Sequence, residues 1–217
     1  MKKVLFTILA CLFAGATVAQ AEVSFGLSVG GGEYDASGKE SYGSKQQRGE
    51  TVSVPVASIF AEYTQNLDAV SISVGVDYIP YDIESETVEN KRINGSTNTA
   101  SVDIEDHVTG YIHLSPAGSP VFLRVGYSHA EAMTTENIKN LTSIAGQTVQ
   151  DTYGNDDLVG MHYGIGYDHE VAEGFFIRGL AQIHEYDDIT VRSSSGNNAI
   201  TASLDGHSVT LQVGKSF

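Results

Sequence analysis

Four charged residues stand in segments that are otherwise rich in glycine, serine and aliphatic residues: Glu62, Arg124, Asp168 and Arg178. In the alternating pattern described below, Arg124, Asp168 and Arg178 share the polar face, and Glu62 falls on the polar face of its own segment. A charge in a narrow protein interior costs several kcal/mol unless it is paired. We therefore predict a cluster of Arg124, Asp168 and Arg178, with Glu62 as a candidate partner from across the interior.

The seven histidines raise the question of a metal site. His107 and His113 share one face but are six residues apart, about 20 Å in a strand, which is too far to bind one ion. His162 and His184 fall on neighbouring segments and could meet. A histidine that is hydrogen-bonded to its neighbours is the favoured interpretation over a two-residue metal site. The acidic stretches do not match the spacing of a calcium loop, so we predict no metal or cofactor site.

Serine and histidine are adjacent in Ser128-His129 and in His207-Ser208. A serine nucleophile needs a base in contact with it. Adjacent residues of a strand point to opposite faces, so neither pair is itself a catalytic dyad. We predict no catalytic residues and no enzyme activity.

The elements that must position these residues are strands, because apolar residues recur with period two. Eight segments show the pattern, at 22–32, 51–65, 69–80, 100–114, 121–128, 159–168, 175–184 and 208–217. In the second segment, Val52, Val54 and Val56 stand on the opposite parity from Ile59, which predicts a bulge near Pro55. In the fourth segment, Asp106 interrupts an apolar face that would hold Val102, Ile104, Val108, Ile112 and Leu114.

The connections between these segments alternate in length. Short connections are predicted at 66–68, 115–120 and 170–174, and long polar ones at 31–50, 81–99, 130–157 and 187–206. This order is typical of a membrane barrel with tight turns at one end and large loops at the other. The predicted fold is all-β, an eight-stranded antiparallel up-and-down transmembrane β-barrel.

The two faces of the predicted strands differ in composition. A soluble barrel of the lipocalin kind points its apolar residues inward, and a membrane barrel points them outward. Glycine, serine and charges that can pair suit a narrow interior, while valine, isoleucine and leucine suit lipid. Aromatic residues near both ends predict two interfacial girdles, Tyr63, Phe175, Phe176 and Phe217 at the short-turn end and Tyr78, Tyr81, Tyr127 and Tyr186 at the other.

The N-terminus has the pattern of a secretory signal peptide over residues 1–21, with the barrel domain at 22–217. Lys2 and Lys3 precede an apolar stretch, and Ala19-Gln20-Ala21 is a small-x-small cleavage site. A signal anchor and lipoprotein processing at Cys11 are weaker alternatives. Cys11 is the only cysteine, so the mature chain would hold no disulfide or thiol nucleophile. The net charge of −15 argues against nucleic-acid binding.

The chain ends in alternating apolar residues that close on a phenylalanine: Val209, Leu211, Val213 and Phe217. With the signal peptide, the eight segments and the loop order, this ending resembles the small eight-stranded outer-membrane barrels of Gram-negative bacteria, of the OmpA, OmpX and opacity-protein kind. The resemblance implies localisation in the bacterial outer membrane and an assembly signal at the C-terminus. It further implies the barrel-assembly machinery, periplasmic chaperones, outer-membrane lipid and lipopolysaccharide as partners.

The function predicted from the sequence is structural or surface-interactive, namely membrane integrity or adhesion through the four long loops. The charged cluster would then be a polar plug, because eight strands enclose only enough room for side chains. The alternative is a small gated pore that prefers cations, as the acidic composition favours. A lipid A-modifying enzyme is the third possibility, because some barrels of this size are such enzymes. We expect a monomer.

Overall fold

A computed structural model describes residues 21–40, 47–84, 88–91, 97–141, 148–151, 154–192, 194 and 199–217. Within these ranges the regular elements are β-strands. The described part of the chain holds no helix that is long and apolar enough to span a membrane. Residues 1–20 lie outside these ranges, so the signal peptide remains a prediction from the sequence.

Twelve strands are present in the described ranges. In chain order they are β1 Ala21–Glu40, β2 Gln47–Asn66, β3 Val70–Tyr78, β4 Ile83–Glu84, β5 Val88–Lys91, β6 Thr97–Pro116, β7 Val121–Leu141, β8 Thr148–Asp151, β9 Asp156–Ala172, β10 Phe175–Tyr186, β11 Ile189–Arg192 and β12 Ala199–Ser216. Eight of them, β1, β2, β3, β6, β7, β9, β10 and β12, pair antiparallel in a ring that β1 and β12 close. The ring confirms the predicted eight-stranded barrel.

The four short strands lie at the long-loop end, where β4 and β5 pair with β6, β8 with β7, and β11 with β12. The long strands also run far into the segments that were predicted as loops. Pairing of β1 with β2 continues to Lys39 opposite Gln47, so most of the predicted loop 31–50 is a strand ladder. Beyond the apolar band both faces of the ladder carry polar residues, so backbone pairing persists without the alternation that reveals it in the sequence.

The predicted bulge near Pro55 is wrong. Pairing of β1 with β2 is continuous and places Pro55 opposite Gly31. β3 ends at Tyr78, which pairs with Ile59, so β2 is not paired with β3 beyond that point and a proline there loses no ladder bond. The Tyr81 hydroxyl instead accepts from the Ala57 N–H at 2.7 Å and donates to the Pro55 carbonyl at 3.2 Å.

A bulge occurs in β6 instead. The register with β7 shifts between Glu105 and Val108, and Asp106 adopts a φ of 52°. Two residues on β6 then face one on β7, which reverses the faces of β6 above the bulge. Ile104 packs inward against Ala130, Ala132 and Leu158. This corrects the prediction that Ile104 continues the outer apolar face, and Asp106 was the signal of the change.

The outer wall of the barrel is aliphatic. Its most exposed large side chains, all more than half accessible, include Leu27, Leu123, Ile165, Ile183, Val209 and Leu211. The buried polar residues lie on the opposite parity of the same strands. The apolar residues therefore point outward, as in a barrel surrounded by lipid and unlike a lipocalin.

Inward-facing aromatic rings stand directly opposite glycines on the neighbouring strand. Six pairs have this arrangement: Tyr34 with Gly206, Phe60 with Gly26, Tyr111 with Gly75, Phe122 with Gly166, Phe176 with Gly214, and Tyr186 with Gly160. A Cβ on Gly166 would lie 2.0 Å from Cζ of Phe122, so only glycine leaves room for the ring. Phe176 and Tyr186 thus belong to the lumen, which corrects their prediction as girdle residues.

Candidate functional site in the barrel lumen

Arg178 on β10 is the centre of a buried charge cluster near the short-turn end of the lumen. Its Nη1 and Nη2 donate to Oε2 and Oε1 of Glu62 at 3.0 and 3.1 Å. Its Nε and Nη2 donate to Oδ1 and Oδ2 of Asp168 at 2.6 and 3.2 Å, and Nη1 also reaches Oε1 of Gln212 at 3.2 Å. A planar guanidinium is suited to this geometry, because its fork can hold two carboxylates at once.

Glu62 projects from β2, across the lumen from Arg178, and its side chain is only 2% exposed. The Tyr111 hydroxyl donates to Oε2 of Glu62 at 3.1 Å, and Nδ1 of His113 lies 3.1 Å from the same oxygen. The Asp168 side chain is 37% exposed. The two carboxylates that hold Arg178 therefore differ in their access to water.

Arg124 does not join this cluster. Its Nη2 lies 3.6 Å from Oδ2 of Asp77, and its guanidinium carbon lies 3.7 Å from the centre of the Tyr111 ring, a cation–π contact. In the register Arg124 pairs with Gly164, whereas Asp168 pairs with Arg178. Asp168 is thus four residues, about 13 Å, farther along β9. Side chains that share the polar face can therefore lie at different heights in the lumen, because barrel strands are staggered.

Several residues of these clusters were not predicted from the sequence. They are Tyr111, Gln212 and Asp77, together with His113, which was weighed only as a metal ligand. All four have the parity of the polar face in their strands. Parity alone gives the direction of a side chain, and only the strand stagger gives its height in the lumen. Within the described residues, Nε and Nη1 of Arg124 and Nε2 of His113 have no hydrogen-bond partner.

A second polar group lies higher in the lumen. Ser128 Oγ is 2.6 Å from Nε2 of His162, Nδ1 of His162 is 3.0 Å from Nδ1 of His184, and Nε2 of His184 is 2.7 Å from Ser208 Oγ. The structure thus brings His162 and His184 together. It also pairs each serine with a histidine of a neighbouring strand rather than with its neighbour in sequence.

Above these histidines the lumen becomes apolar at the level of the β6 bulge. Ala130, Ala132 and Leu158 are buried there, and partly buried Ile104, Tyr186, Ile189 and Leu204 pack against them. Tyr186 connects this layer to the histidines below it. Its ring centroid lies 5.6 Å from that of His162, and its hydroxyl lies 3.1 Å from Nε2 of a third histidine, His107. From the short turns upward, the lumen therefore holds ion pairs, then histidines and serines, then aliphatic side chains.

The C-terminal residues lie on the outer wall. Val209, Leu211 and Val213 point outward, and Phe217 is 71% exposed. The Phe217 N–H donates to the Val23 carbonyl at 2.9 Å, and the Val23 N–H donates to the Phe217 carbonyl at 3.3 Å. The last residue therefore helps to close the ring, while its aromatic side chain remains available on the surface.

The charged and polar side chains of the lumen contact one another across the barrel. In the ranges that the structure describes, no three histidine, cysteine or carboxylate side chains converge as a metal centre. Ser128 and Ser208 are buried, Ser128 completely. The side-chain contacts described above connect seven of the eight ring strands, namely β2, β3, β6, β7, β9, β10 and β12.

Comparisons with known proteins agree with this architecture. The chain matches the family model described as "Outer membrane protein beta-barrel domain" over residues 5–217. No curated protein matches it by sequence. Among solved structures it is similar to the outer membrane protein OprG from Pseudomonas aeruginosa, with a TM-score of 0.52 and 11% identity, over 91% of this chain and 96% of that chain.

Two further solved structures are similar over most of their length. The attachment invasion locus protein Ail of Yersinia pestis, in complex with the heparin analogue sucrose octasulfate, has a TM-score of 0.39 and 12% identity, over 88% of this chain and 99% of that chain. The outer membrane protease OmpT from Escherichia coli has a TM-score of 0.44 and 6% identity, over 93% of this chain and 98% of that chain. The family model, the ring of eight strands and the outward aliphatic band agree: the chain belongs to the outer-membrane β-barrel domain family and is a protein of the bacterial outer membrane.

Proposed function

We propose that the protein is a closed, structural barrel that acts through the polar rim at its long-loop end rather than through its lumen. The observation that carries this proposal is the double clamp on Arg178. Glu62 on β2 and Asp168 on β9 hold one guanidinium on β10, and Gln212 on β12 completes the contact. Four strands are thereby locked together across the space that a pore would need.

The rim supplies the surface for such a role. The β1–β2 and β6–β7 ladders extend beyond the aliphatic band, so the rim is built of paired strands rather than of loops alone. Its faces are polar and, around Glu105, strongly acidic. We propose that this end faces the cell exterior, where a stiff polar rim contacts lipopolysaccharide or another surface and supports membrane integrity or adhesion.

Shortening the rim along its own register tests this role. Replacing residues 37–49 by an Asn-Gly turn keeps Ala36 opposite Glu50. It removes the pairing of residues 37–40 with β12 at the rim and leaves the ring pairing below that level intact. Cells with the shortened barrel should lose binding to purified lipopolysaccharide and to abiotic or host surfaces, while the barrel still shows heat-modifiable gel mobility. Unchanged binding after each long hairpin has been shortened in turn would overturn the proposal.

A gated pore is the second candidate, and one observation favours it. Arg178 is shared by a buried carboxylate and by the more exposed Asp168, so a shift of the guanidinium toward one partner would change the width of the lumen. The conductance of the refolded barrel in a planar lipid bilayer distinguishes the two candidates, because a pore gives a steady current and a closed barrel does not. We propose no catalytic role, because the serine–histidine contacts are enclosed.

The remaining expectations concern assembly. We propose that Val209, Leu211, Val213 and Phe217 are read by the barrel-assembly machinery, since their side chains lie on the outer wall. Periplasmic chaperones would bind the unfolded chain, whose aliphatic residues otherwise meet water. We propose a monomer in the membrane, because the ring of β1 to β12 leaves no open sheet edge at the level of the apolar band.

A further inference from the structure

A lysine interrupts the apolar outer wall at the short-turn end of the barrel. Lys215 on β12 has the outward parity of Val213 and Phe217, and its side chain is half-buried. In the ladder it stands directly opposite Phe25 on β1 and Phe175 on β10. Three phenylalanines therefore surround one ammonium group, two of them on the flanking strands and the third two residues farther along the chain.

The rings contact the ammonium group from one side. Nζ of Lys215 lies 4.8 Å from the centroid of the Phe175 ring and 4.8 Å from that of the Phe217 ring. The ring of Phe25 is inclined by 62° to that of Phe217, with the two centroids 6.5 Å apart. All three rings are more than 40% exposed, so the cluster is open on the side that points away from the barrel. A lysine that contacts aromatic faces on one side keeps N–H donors for a partner on the other.

The chain itself supplies no anion for this cation within the described ranges, where none of the ion pairs includes Lys215. Arg124 and Arg178 are buried in the lumen, and the other described lysines and arginines lie at the long-loop end. A lysine at the edge of an apolar band places its ammonium group at the level of the lipid headgroups. The cluster thus presents a cation and an apolar surface at the height where the phosphate and the acyl chains of a lipid meet.

We propose that Lys215, Phe25, Phe175 and Phe217 form a binding site for one anionic glycerophospholipid in the periplasmic leaflet of the outer membrane. The ammonium group binds the headgroup phosphate, and the rings contact the glycerol backbone and the first methylene groups. An anionic headgroup fits better than a zwitterionic one, whose own cation repels Lys215. The choice of leaflet rests on the proposed orientation with the long-loop end outside, but binding at this end does not depend on the rim function.

The test is lipid retention by the full chain, refolded in a non-ionic detergent and measured by native mass spectrometry. Phosphatidylglycerol and phosphatidylcholine with the same acyl chains are added in equal amounts, and we expect one phosphatidylglycerol per chain in preference to phosphatidylcholine. Lys215→Gln should lower its retention about fivefold, the effect of one lysine at an anionic lipid surface, and Lys215→Arg should preserve it. Phe175→Leu should lower retention about two- to fivefold, because leucine keeps the apolar surface but loses the ring face.

Lys39→Gln is the matched control, because Lys39 is an exposed lysine at the opposite end of the neighbouring strand β1. It should retain lipid like the unchanged chain. Equal losses in Lys215→Gln and Lys39→Gln would assign the lipid to general charge attraction and overturn the proposal. Equal retention of the two lipids by the unchanged chain would also overturn it.

Purified lipid A distinguishes the two leaflets, because its phosphates could meet the same lysine if the barrel were inverted. Stronger retention of lipid A than of phosphatidylglycerol, lost in Lys215→Gln, would overturn the assignment to a glycerophospholipid. Shortening the rim should leave phosphatidylglycerol retention unchanged, so failure of the rim function and failure of this site give different results. Heat-modifiable gel mobility confirms that each variant has folded, and Phe175→Leu decides if Lys215→Gln has not.

Discussion

Replacing Glu62 by glutamine is the sharpest perturbation of the closed lumen. The substitution keeps the size and one acceptor oxygen of the side chain but removes its charge. Among the described residues, Arg178 would then keep one anionic partner, Asp168, whose carboxylate is partly exposed. Removing one partner of a buried ion pair costs about 3–5 kcal/mol. We expect a loss in this range, because the partly exposed carboxylate of Asp168 compensates the buried guanidinium only in part.

Asp168→Asn is the matched comparison, because it removes the other carboxylate of the same arginine. Asp168 is 37% exposed, so solvent screens its interaction with Arg178, and we expect the free energy of unfolding to fall by about 1 kcal/mol. The chain has no tryptophan. Urea unfolding of the refolded barrel in lipid vesicles is therefore followed by heat-modifiable gel mobility and far-ultraviolet circular dichroism.

The double variant of Glu62→Gln and Arg178→Met separates two contributions to the free energy of unfolding, namely the attraction between the paired charges and the cost of burying a charge. Removing both charges should recover part of the stability that Glu62→Gln alone loses, since replacing a buried ion pair by neutral groups is often close to neutral. A loss below about 1 kcal/mol for Glu62→Gln, or equal losses for Glu62→Gln and Asp168→Asn, would refute the reasoning. A small loss for Glu62→Gln would mean that water screens the lumen charges, and equal losses would mean that the difference in exposure between the two carboxylates has no effect on their pairing.

Three other predictions address the wall, the C-terminus and the rim. Gly166→Ala should lower the free energy of unfolding in urea by about 1–3 kcal/mol, because the new Cβ meets the Phe122 ring. Gly179→Ala is the control and should be close to neutral, because the space around Gly179 is open. Equal effects of the two substitutions would contradict the aromatic–glycine packing. Phe217→Ala should lower the amount of barrel assembled in cells much more than it lowers the free energy of unfolding in vitro, since the Phe217 ring is mostly exposed. Equally large losses of assembly and of stability would mean that the ring acts through packing. At the rim, partial desolvation and the carboxylates of Asp82, Glu131, Asp106 and Asp103 raise the pKa of Glu105. The folded chain therefore holds this proton more tightly than the unfolded chain, and the stabilisation present at low pH is lost as the pH rises through the raised pKa. Glu105→Gln should accordingly raise the midpoint of thermal unfolding at about pH 7 and leave it unchanged at about pH 3. A midpoint that falls at neutral pH would show that the neighbouring carboxylates do not repel Glu105 in the folded chain.

The barrel could be predicted from the sequence because its strands separate two environments. In β9, Tyr163, Ile165 and Tyr167 alternate with His162, Gly164 and Gly166, and the structure places them outside and inside accordingly. The pattern fails where the two environments become alike. Beyond the apolar band both faces of the β1–β2 ladder meet water, so strands were predicted as loops.

Two other errors have local causes. Asp106 gave a visible break in β6, but the alternation could not show that the break was a bulge that turns Ile104 inward. Arg124 has the same parity as Arg178, but the stagger of the strands moves it to Asp77 rather than to Asp168. Height along the barrel depends on hydrogen-bond register, and a single sequence gives direction without register.

The conductance of the refolded barrel in planar lipid bilayers tests most directly whether the lumen is closed. The double clamp on Arg178 and the aliphatic layer around Leu158 predict no steady current from the unchanged chain at moderate voltage. Arg178→Ala should at most produce brief, irregular openings. Steady single-channel conductance of the unchanged chain, altered in a graded way by Arg178→Ala, would contradict a closed lumen and establish the pore.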